Sequence, residues 1–429
     1  MEHHLVQFNL ENFLSFKDKE TFSFFNSIDD SLKEKLITVE NEKFTLSPAA
    51  AIYGANASGK TNLLKGIGFL KFLLMTTSAR KVNEAIPFLP FKLNQDKPTT
   101  FEVIFISEGT RYGYSTTFNA ERVLIEGLYT YPKGKQKKVF EREYLANENK
   151  YKYSYSREYQ SKLKDIELKS LANKFFLSTA AEWTDLPEIK SSIDFFDNKI
   201  IINTDYLNPN WQHYTAEKLE NDRELKEIFL KLLQEINPTI KDIKSKVIRK
   251  KMAVEDLPSE LPMEIKMLMR IGETIQTDIK IIYDKEGLIL DLSEESRGIQ
   301  KLFEIGGPLL DILLKGQVLI FDELETSLHP LLARKIIELF TNKKYNKRGA
   351  QLLFSTHDTN LLDLDFLRRD QIWITEKGRE TNYSTKLTCL SQIKGIRKDE
   401  NIQKGFLQGK YTKIPFLTGN HLDRLCGDE

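Results

Sequence analysis

Apolar residues recur along this chain with two different periods, and the change from one to the other divides it into three parts. Over residues 5 to about 125, LVQFNLENFLSF and TFSFF predict short strands, PAAAIYG a buried strand, and TNLLKGIGFLKFLLM an amphipathic helix. FEVIFISEGTRYGYSTTF predicts a hairpin of residues 101–106 and 112–118, closed around Glu108 and Gly109. From about 141 to 275 charged, helix-favouring text takes over. Apolar residues there recur three and four apart, as in EYQSKLKDIELKSLANKFFLS and AEKLENDRELKEIFLKLLQEI. The last third returns to short apolar strands, TDIKIIYD, QVLIFDE, AQLLFST and DQIWITEK, separated by helical stretches, which is the habit of a parallel sheet with crossovers. The pattern predicts one α/β fold with a mixed or parallel sheet and N-terminal strands. Residues 1–140 and 276–429 form its two halves, and 141–275 an inserted helical lobe.

Composition narrows the class. The 429 residues carry 63 Lys plus Arg against 62 Asp plus Glu, so a formal charge of +1 names no partner. With 40% hydrophobic and 29% charged residues, collagen-like and wholly disordered chains are excluded. Apolar runs such as residues 318–321 are too short to cross a bilayer, and the opening MEHHLVQFNL lacks a basic segment followed by an apolar core. The expectation is a cytoplasmic chain, neither secreted nor membrane-spanning. Cys389 and Cys426, without CxxC spacing, supply neither a disulfide framework nor a zinc site. No 20- to 50-residue period repeats, which excludes solenoids and propellers.

The chemistry begins at Gly54, Ala55, Asn56, Ala57, Ser58, Gly59, Lys60 and Thr61, a G-x-x-x-x-G-K-[ST] pattern between a predicted strand and a helix that opens with Asn62. Such a loop curls so that successive amide hydrogens face phosphate oxygens beside the positive end of the helix dipole. Lys60 would add a charge for the β and γ phosphates, and the Thr61 hydroxyl would join a magnesium shell. ATP and magnesium are the implied cofactors. A buried strand ends in Asp322 and Glu323, suited to holding the metal and to polarising the attacking water. Alone, acids at a strand end are a weak signal; beside a phosphate loop they point to catalysis. One strand later Ser355, Thr356, His357 and Asp358 place a histidine within reach of a γ phosphate. His329, in LETSLHP, reads equally as a subunit contact or as a helix start.

Between these features lies SEESRGIQ, a Ser-x-Gly-x-Gln formed by Ser296, Gly298 and Gln300 at the mouth of a predicted helix. A hydroxyl, a bare backbone and a dipole together suit an anionic oxygen. An enzyme that completes its site within one subunit has no use for them. They therefore point to a triphosphate sandwiched between copies, although a serine at a helix start also reads as a plain N-cap.

In this order, the phosphate loop, Ser-x-Gly-x-Gln, acid-ended strand and histidine-ended strand resemble ABC-type P-loop ATPases, the group that includes the chromosome-maintenance and recombination clamps. Within that group, LVQFNLENFLSFKDKETFSF, YGANASGKTNLLK, SEESRGIQKLFEI, FDELETSLHP, STHDTNLLD and the tail GFLQGKYTKIPFL are similar to small bacterial AAA ATPases of abortive-infection and restriction loci, the Rlo and AbiL type. These are related to the overcoming-lysogenisation-defect ATPases. The resemblance implies ATP hydrolysis, assembly as dimers or larger rings, and anti-phage defence with an effector nuclease, often of the Toprim kind. Leu14 stands where many relatives carry a basic residue, and too little chain follows His357 for an appended Toprim domain, so the nuclease is expected on another chain. Basic clusters at 133–138, 241–251, 343–348 and 394–413 each read first as solvated faces. KDIKSKVIRKK at 241–251 is the best candidate for nucleic acid, which leaves a DNA clamp as the alternative to a defence sensor. A transporter motor would need a surface for a membrane partner, and the sequence offers no apolar docking segment.

Overall fold

A computed structural model of the chain describes residues 2–27, 29–204, 211–251, 273–326, 328–397 and 400–411. It divides into two compact units: Met1–Leu207 with Gly316–Leu324 and Ile337–Glu429, and Asn208–Lys315 with Glu325–Ile336. Among the described residues no helix is long and apolar enough to cross a membrane.

The first unit begins with β1 (His3–Glu11) and β2 (Glu20–Ser23), then the small pair β3 (Ile37–Thr38) and β4 (Thr45–Leu46). The apolar run Ala49–Gly54 follows as β5, every residue of it buried, and leads into helix α1 (Lys60–Thr76). Next come β6 (Thr99–Ser107), β7 (Thr110–Phe118), β8 (Val123–Thr130), β9 (Lys137–Leu145) and β10 (Lys150–Tyr155). With β1 and β2 they form an antiparallel sheet ordered β10-β9-β8-β7-β6-β1-β2. The β6–β7 hairpin turns at Glu108 and Gly109, both left-handed, as its sequence predicts.

Its other sheet combines β5 with β11 (Ile200–Asn203), then β15 (Val318–Phe321), β16 (Gln351–Ser355), β17 (Ile372–Glu376) and β18 (Lys386–Cys389), in the order β11-β15-β16-β5-β17-β18. All neighbours are parallel except β17 and β18. Buried residues of both sheets and α1 share one core, with Phe8 and Phe101 from the antiparallel sheet, Phe13 from the turn after β1, and Ile52, Ile320 and Leu353 from the parallel sheet.

The second unit, taken by itself, holds helices Trp211–Asn221 and Arg223–Ile236, a three-stranded antiparallel sheet, and helix α2 (Arg297–Lys315). Its strands are β12 (Ile240–Lys251), β13 (Glu273–Tyr283) and β14 (Ile289–Asp291). An all-helical lobe over 141–275 is therefore not what forms. Residues 141–155 extend the first sheet: Tyr151, Tyr153 and Tyr155 alternate with polar residues, a period of two, and Tyr153 packs on Phe176. Pairing and burial override the helix-favouring charge of this stretch. TDIKIIYD joins the antiparallel three-stranded sheet rather than the parallel one, and KDIKSKVIRKK is the edge strand β12. Residues 252–272, Ser327, Cys426 and the tail beyond 411 lie outside the described residues.

Candidate active site

Open parallel sheets present ligands at the carboxyl ends of their strands, and in this chain that end is polar. After β5 the backbone curls left-handed at Ala57 (φ 62°) and Gly59 (φ 111°). Only glycine fits at 59, where a Cβ would lie 2.2 Å from Thr385 Oγ1 and 2.9 Å from Ser15 Oγ.

Distant residues brace the curl. Ser58 Oγ and Thr375 Oγ1 are 2.6 Å apart. The Thr385 hydroxyl bonds the Ser58 carbonyl (2.8 Å) and the Ser15 hydroxyl (2.7 Å), and Asn62 Nδ2 donates to Ser15 Oγ at 2.9 Å. The turn after β1 thus reaches the loop through Ser15, while the Leu14 amide donates to Leu89 O. Lys60 is only 6% exposed, and its ammonium donates to the carbonyls of Gly54 (3.0 Å) and Ala55 (3.3 Å). Asn56 and Ala57, at the crest of the loop, are exposed.

The acid strand meets this loop. Thr61 Oγ1 donates to Asp322 Oδ1 at 3.2 Å, and the Ser355 hydroxyl at the end of β16 donates to the same oxygen. Ser355 Oγ also accepts from the Glu323 amide at 2.8 Å. Glu323 is left-handed (φ 52°), a conformation rare for a non-glycine residue and one that clusters at functional sites. Asp322 is thereby turned toward Thr61, while the Glu323 side chain is exposed. His357 is exposed two residues beyond Ser355, after Thr356 donates its amide to Ile52 O on β5 (3.2 Å). At the end of β11, Asn203 O accepts from the Asp322 amide at 3.0 Å. Among the described residues, the buried Asn203 Nδ2 and Thr204 Oγ1 have no hydrogen-bond partner.

The arrangement fits a magnesium nucleotide. A hydroxyl and a carboxylate 3.2 Å apart are the oxygen donors that magnesium takes beside a phosphate. A curled loop with a buried ammonium suits the phosphates themselves. Residues 54–62, Asp322, Glu323 and His357 gather at one sheet end. Ser15, Asn203, Thr204, Ser355, Thr375 and Thr385 share it but were not singled out as site residues from sequence. Ser15, Ser355 and Thr375 lie in segments whose strands or motifs the sequence does reveal, but nothing local marks their hydroxyls as belonging to the phosphate loop.

Ser296, Gly298 and Gln300 belong to the second unit. Ser296 is exposed at the start of α2, and its hydroxyl accepts from the Ile299 amide at 3.4 Å, a weak cap. Apart from its chain neighbours and the backbone of its own helix, no described residue has an atom within 4 Å of where a Gly298 Cβ would stand. Gln300 braces the preceding loop, donating to the carbonyls of Glu295 (2.7 Å) and Ser293 (3.2 Å). Of the two readings of His329, the helix start is the one with a contact: its Nδ1 accepts from the Leu331 amide at 3.3 Å.

A family model described as "AAA domain, putative AbiEii toxin, Type IV TA system" matches residues 49–363. No curated protein matches the chain. Among solved structures, an Smc head bound to the C-winged helix domain of ScpA is 12% identical, with a TM-score of 0.44 over 90% of this chain and 97% of that one. An SMC head domain from Thermotoga maritima is 14% identical, with a TM-score of 0.40 over 91% and 99%. An Smc head with an extended coiled coil, bound to the C-terminal domain of ScpA and derived from Pyrococcus furiosus, is 11% identical, with a TM-score of 0.44 over 91% and 97%.

Proposed function

The chain belongs to the AAA-domain family of the AbiEii toxin type, and from that premise we propose that it binds and hydrolyses ATP with magnesium, as an oligomer, to gate an anti-phage defence response. The observation that carries this reading is the hydrogen-bonded run from Thr61 through Asp322 and Ser355 to the Glu323 backbone. It ties the helix behind the phosphate loop to both strand-end acids.

In this reading the amides of residues 54–62 and the Lys60 ammonium receive the phosphates, with Lys60 exchanging its loop carbonyls for phosphate oxygens. Magnesium, held by Thr61 and Asp322, would offset charge on those oxygens. Glu323 takes the proton of the attacking water, and His357 contacts the γ phosphate. Ser296 and Gly298 of a second copy close the site, with Gln300 keeping their loop in shape. The exposure of Ser296 and the open space over Gly298 support that assignment. The family's name supports a defence setting. There the protein acts as a nucleotide-gated sensor and scaffold for an effector nuclease on another chain, of the Toprim kind.

Glu323→Gln should retain ATP, lose roughly 100- to 10,000-fold in hydrolysis, and trap the assembled state; unaltered turnover would reject Glu323 as the base. Specific activity should fall on dilution and in Ser296→Trp. A rate indifferent to both would overturn the shared site. A pull-down from the native host with and without ATP tests for the effector.

One observation favours a second reading, a DNA clamp. Lys244 of β12 and Lys280 of β13 are directly opposed, a destabilising like-charge pair that Asp278, 4.0 Å from Lys280 Nζ, offsets in part and that a nucleic acid backbone would offset further. Duplex binding that weakens steeply with salt and is lost in Lys244→Glu would favour the clamp.

A further inference from the structure

The parallel sheet has a second end, and it too is charged. Pro48 precedes β5 and Gly349 closes the turn into β16, so both lie at the amino ends of strands whose carboxyl ends carry the phosphate loop and Ser355. A six-residue strand separates the two ends by about 20 Å. Here the first unit has a cavity of about 440 Å³ whose lining includes Lys35, Lys343, Lys347, Arg348 and His4, with Glu2 the one carboxylate among the lining residues.

The turn that carries the cations is fixed in shape. Asn346 is buried, and its amide donates to Phe340 O (2.7 Å) and Ala350 O (2.8 Å) while its oxygen accepts from the Ala350 amide (2.7 Å). Gly349 is left-handed (φ 68°), and a Cβ there would come within 2.9 Å of His4 Cε1, so the turn lies directly against the histidine ring. Among the described residues, no carboxylate forms an ion pair with Lys343, Lys347 or Arg348.

His4 supplies the independent sign of a ligand. Its side chain is 0% exposed, yet neither ring nitrogen has a hydrogen-bond partner. The nearest carboxylate, Glu2, is 3.8 Å from Nε2, and its Oε2 already accepts from the Glu40 amide at 3.1 Å. A buried polar ring without a partner is costly, and here it stands at a cavity ringed by three unpaired cations.

We propose that this cavity is a second anion site, taking a phosphate group between Lys343, Lys347, Arg348 and His4, at the end of the parallel sheet opposite the nucleotide loop. A guanidinium and two ammonium groups on a rigid turn suit a phosphate better than a carboxylate, because a phosphate offers each of them an oxygen. Either a free phosphate or the backbone of a nucleic acid strand supplies that chemistry.

The test uses the full chain with its phosphate loop saturated by a non-hydrolysable ATP analogue. Inorganic phosphate is titrated while the ring nitrogens of ¹⁵N-labelled histidines are followed by NMR; a fluorescein-labelled single-stranded oligonucleotide is titrated by anisotropy. Saturable movement of the His4 signals is expected, with affinity reduced at least about tenfold in Lys347→Glu/Arg348→Glu. Both of those side chains are exposed, so this variant remains informative even where His4→Gln, used to assign the signals, does not fold. Oligonucleotide binding that is lost in the double variant and displaced by phosphate identifies a nucleic acid strand as the source. Phosphate binding without oligonucleotide binding identifies a free anion. The proposal is overturned if the His4 signals stay still, or if both probes bind the double variant as tightly as the wild type.

Discussion

Replacing Thr385 by valine tests whether the nucleotide loop depends on a residue that no motif contains. Thr385 is fully buried, and its hydroxyl bonds the Ser58 carbonyl at 2.8 Å and the Ser15 hydroxyl at 2.7 Å. Valine keeps the shape and removes both bonds, each worth about 1 kcal/mol net. Ser15 retains Asn62, while the Ser58 carbonyl loses its Thr385 partner. If the loss of about 2 kcal/mol falls on the curled loop, the binding-competent fraction drops and the nucleotide Kd rises roughly 30-fold. Fluorescent-nucleotide titration measures that rise, and urea denaturation of the same samples separates it from global unfolding. Thr385→Ser, which restores the hydroxyl, should recover most of the affinity. A valine variant that binds nucleotide as the wild type does would show that the loop holds its shape without this brace.

Asn203→Leu removes a buried amide that has no partner, so urea stability should hold or rise while ATP turnover falls; a parallel loss of both would make Asn203 purely structural. Arg142→Met should cost about 3–5 kcal/mol in urea denaturation, because it leaves the buried Glu126 uncompensated and strips partners from Ser170, Leu171, Ala172 and Lys174. Lysine should not rescue it, since only the planar fork reaches all four. Burial, reinforced by Lys199, lowers the His3 pKa to about 4 from its usual 6.5. The unfolded chain therefore binds the extra proton between those values, so the contribution of His3 to stability is complete above pH 6.5 and lost as the pH falls to about 4. His3→Gln should flatten that acid limb in pH-dependent denaturation; an unchanged limb would show that another group sets it.

What could be read from the sequence was whatever is written within a few residues. The strand into the phosphate loop, the helix after it, the hairpin at Glu108 and Gly109, and the acid- and histidine-ended strands each carry their own period or turn. Within the middle third the helical period holds at Arg157–Leu163, Phe176–Trp183, Pro187–Asp194, Trp211–Asn221 and Arg223–Ile236, and it misled only where lysines and glutamates flank the apolar positions of strands. In β9 and β10 the informative residues are the alternating tyrosines and the buried Phe140 and Arg142, and charge density masks that period of two. β12 has the same disguise: Ile243 is buried while Lys244 and Lys246 beside it are exposed.

The supports of the site were illegible for a deeper reason. β5, which launches the phosphate loop, pairs with β16 and β17 and, among the described residues, with no strand from the first 200 positions. The oxygens that fix the loop and its acid partner come from Ser15, Asp322, Ser355, Thr375 and Thr385. The motif therefore specifies a loop that can curl, but the curl is held only after the two ends of the chain have met around it. Both strands that flank β5 also end in a hydroxyl residue that contributes to the site, Ser355 at the end of β16 and Thr375 near the end of β17. Formation of the sheet and assembly of the phosphate site are thus one event, which is why side chains more than 300 positions away set the geometry of an eight-residue motif.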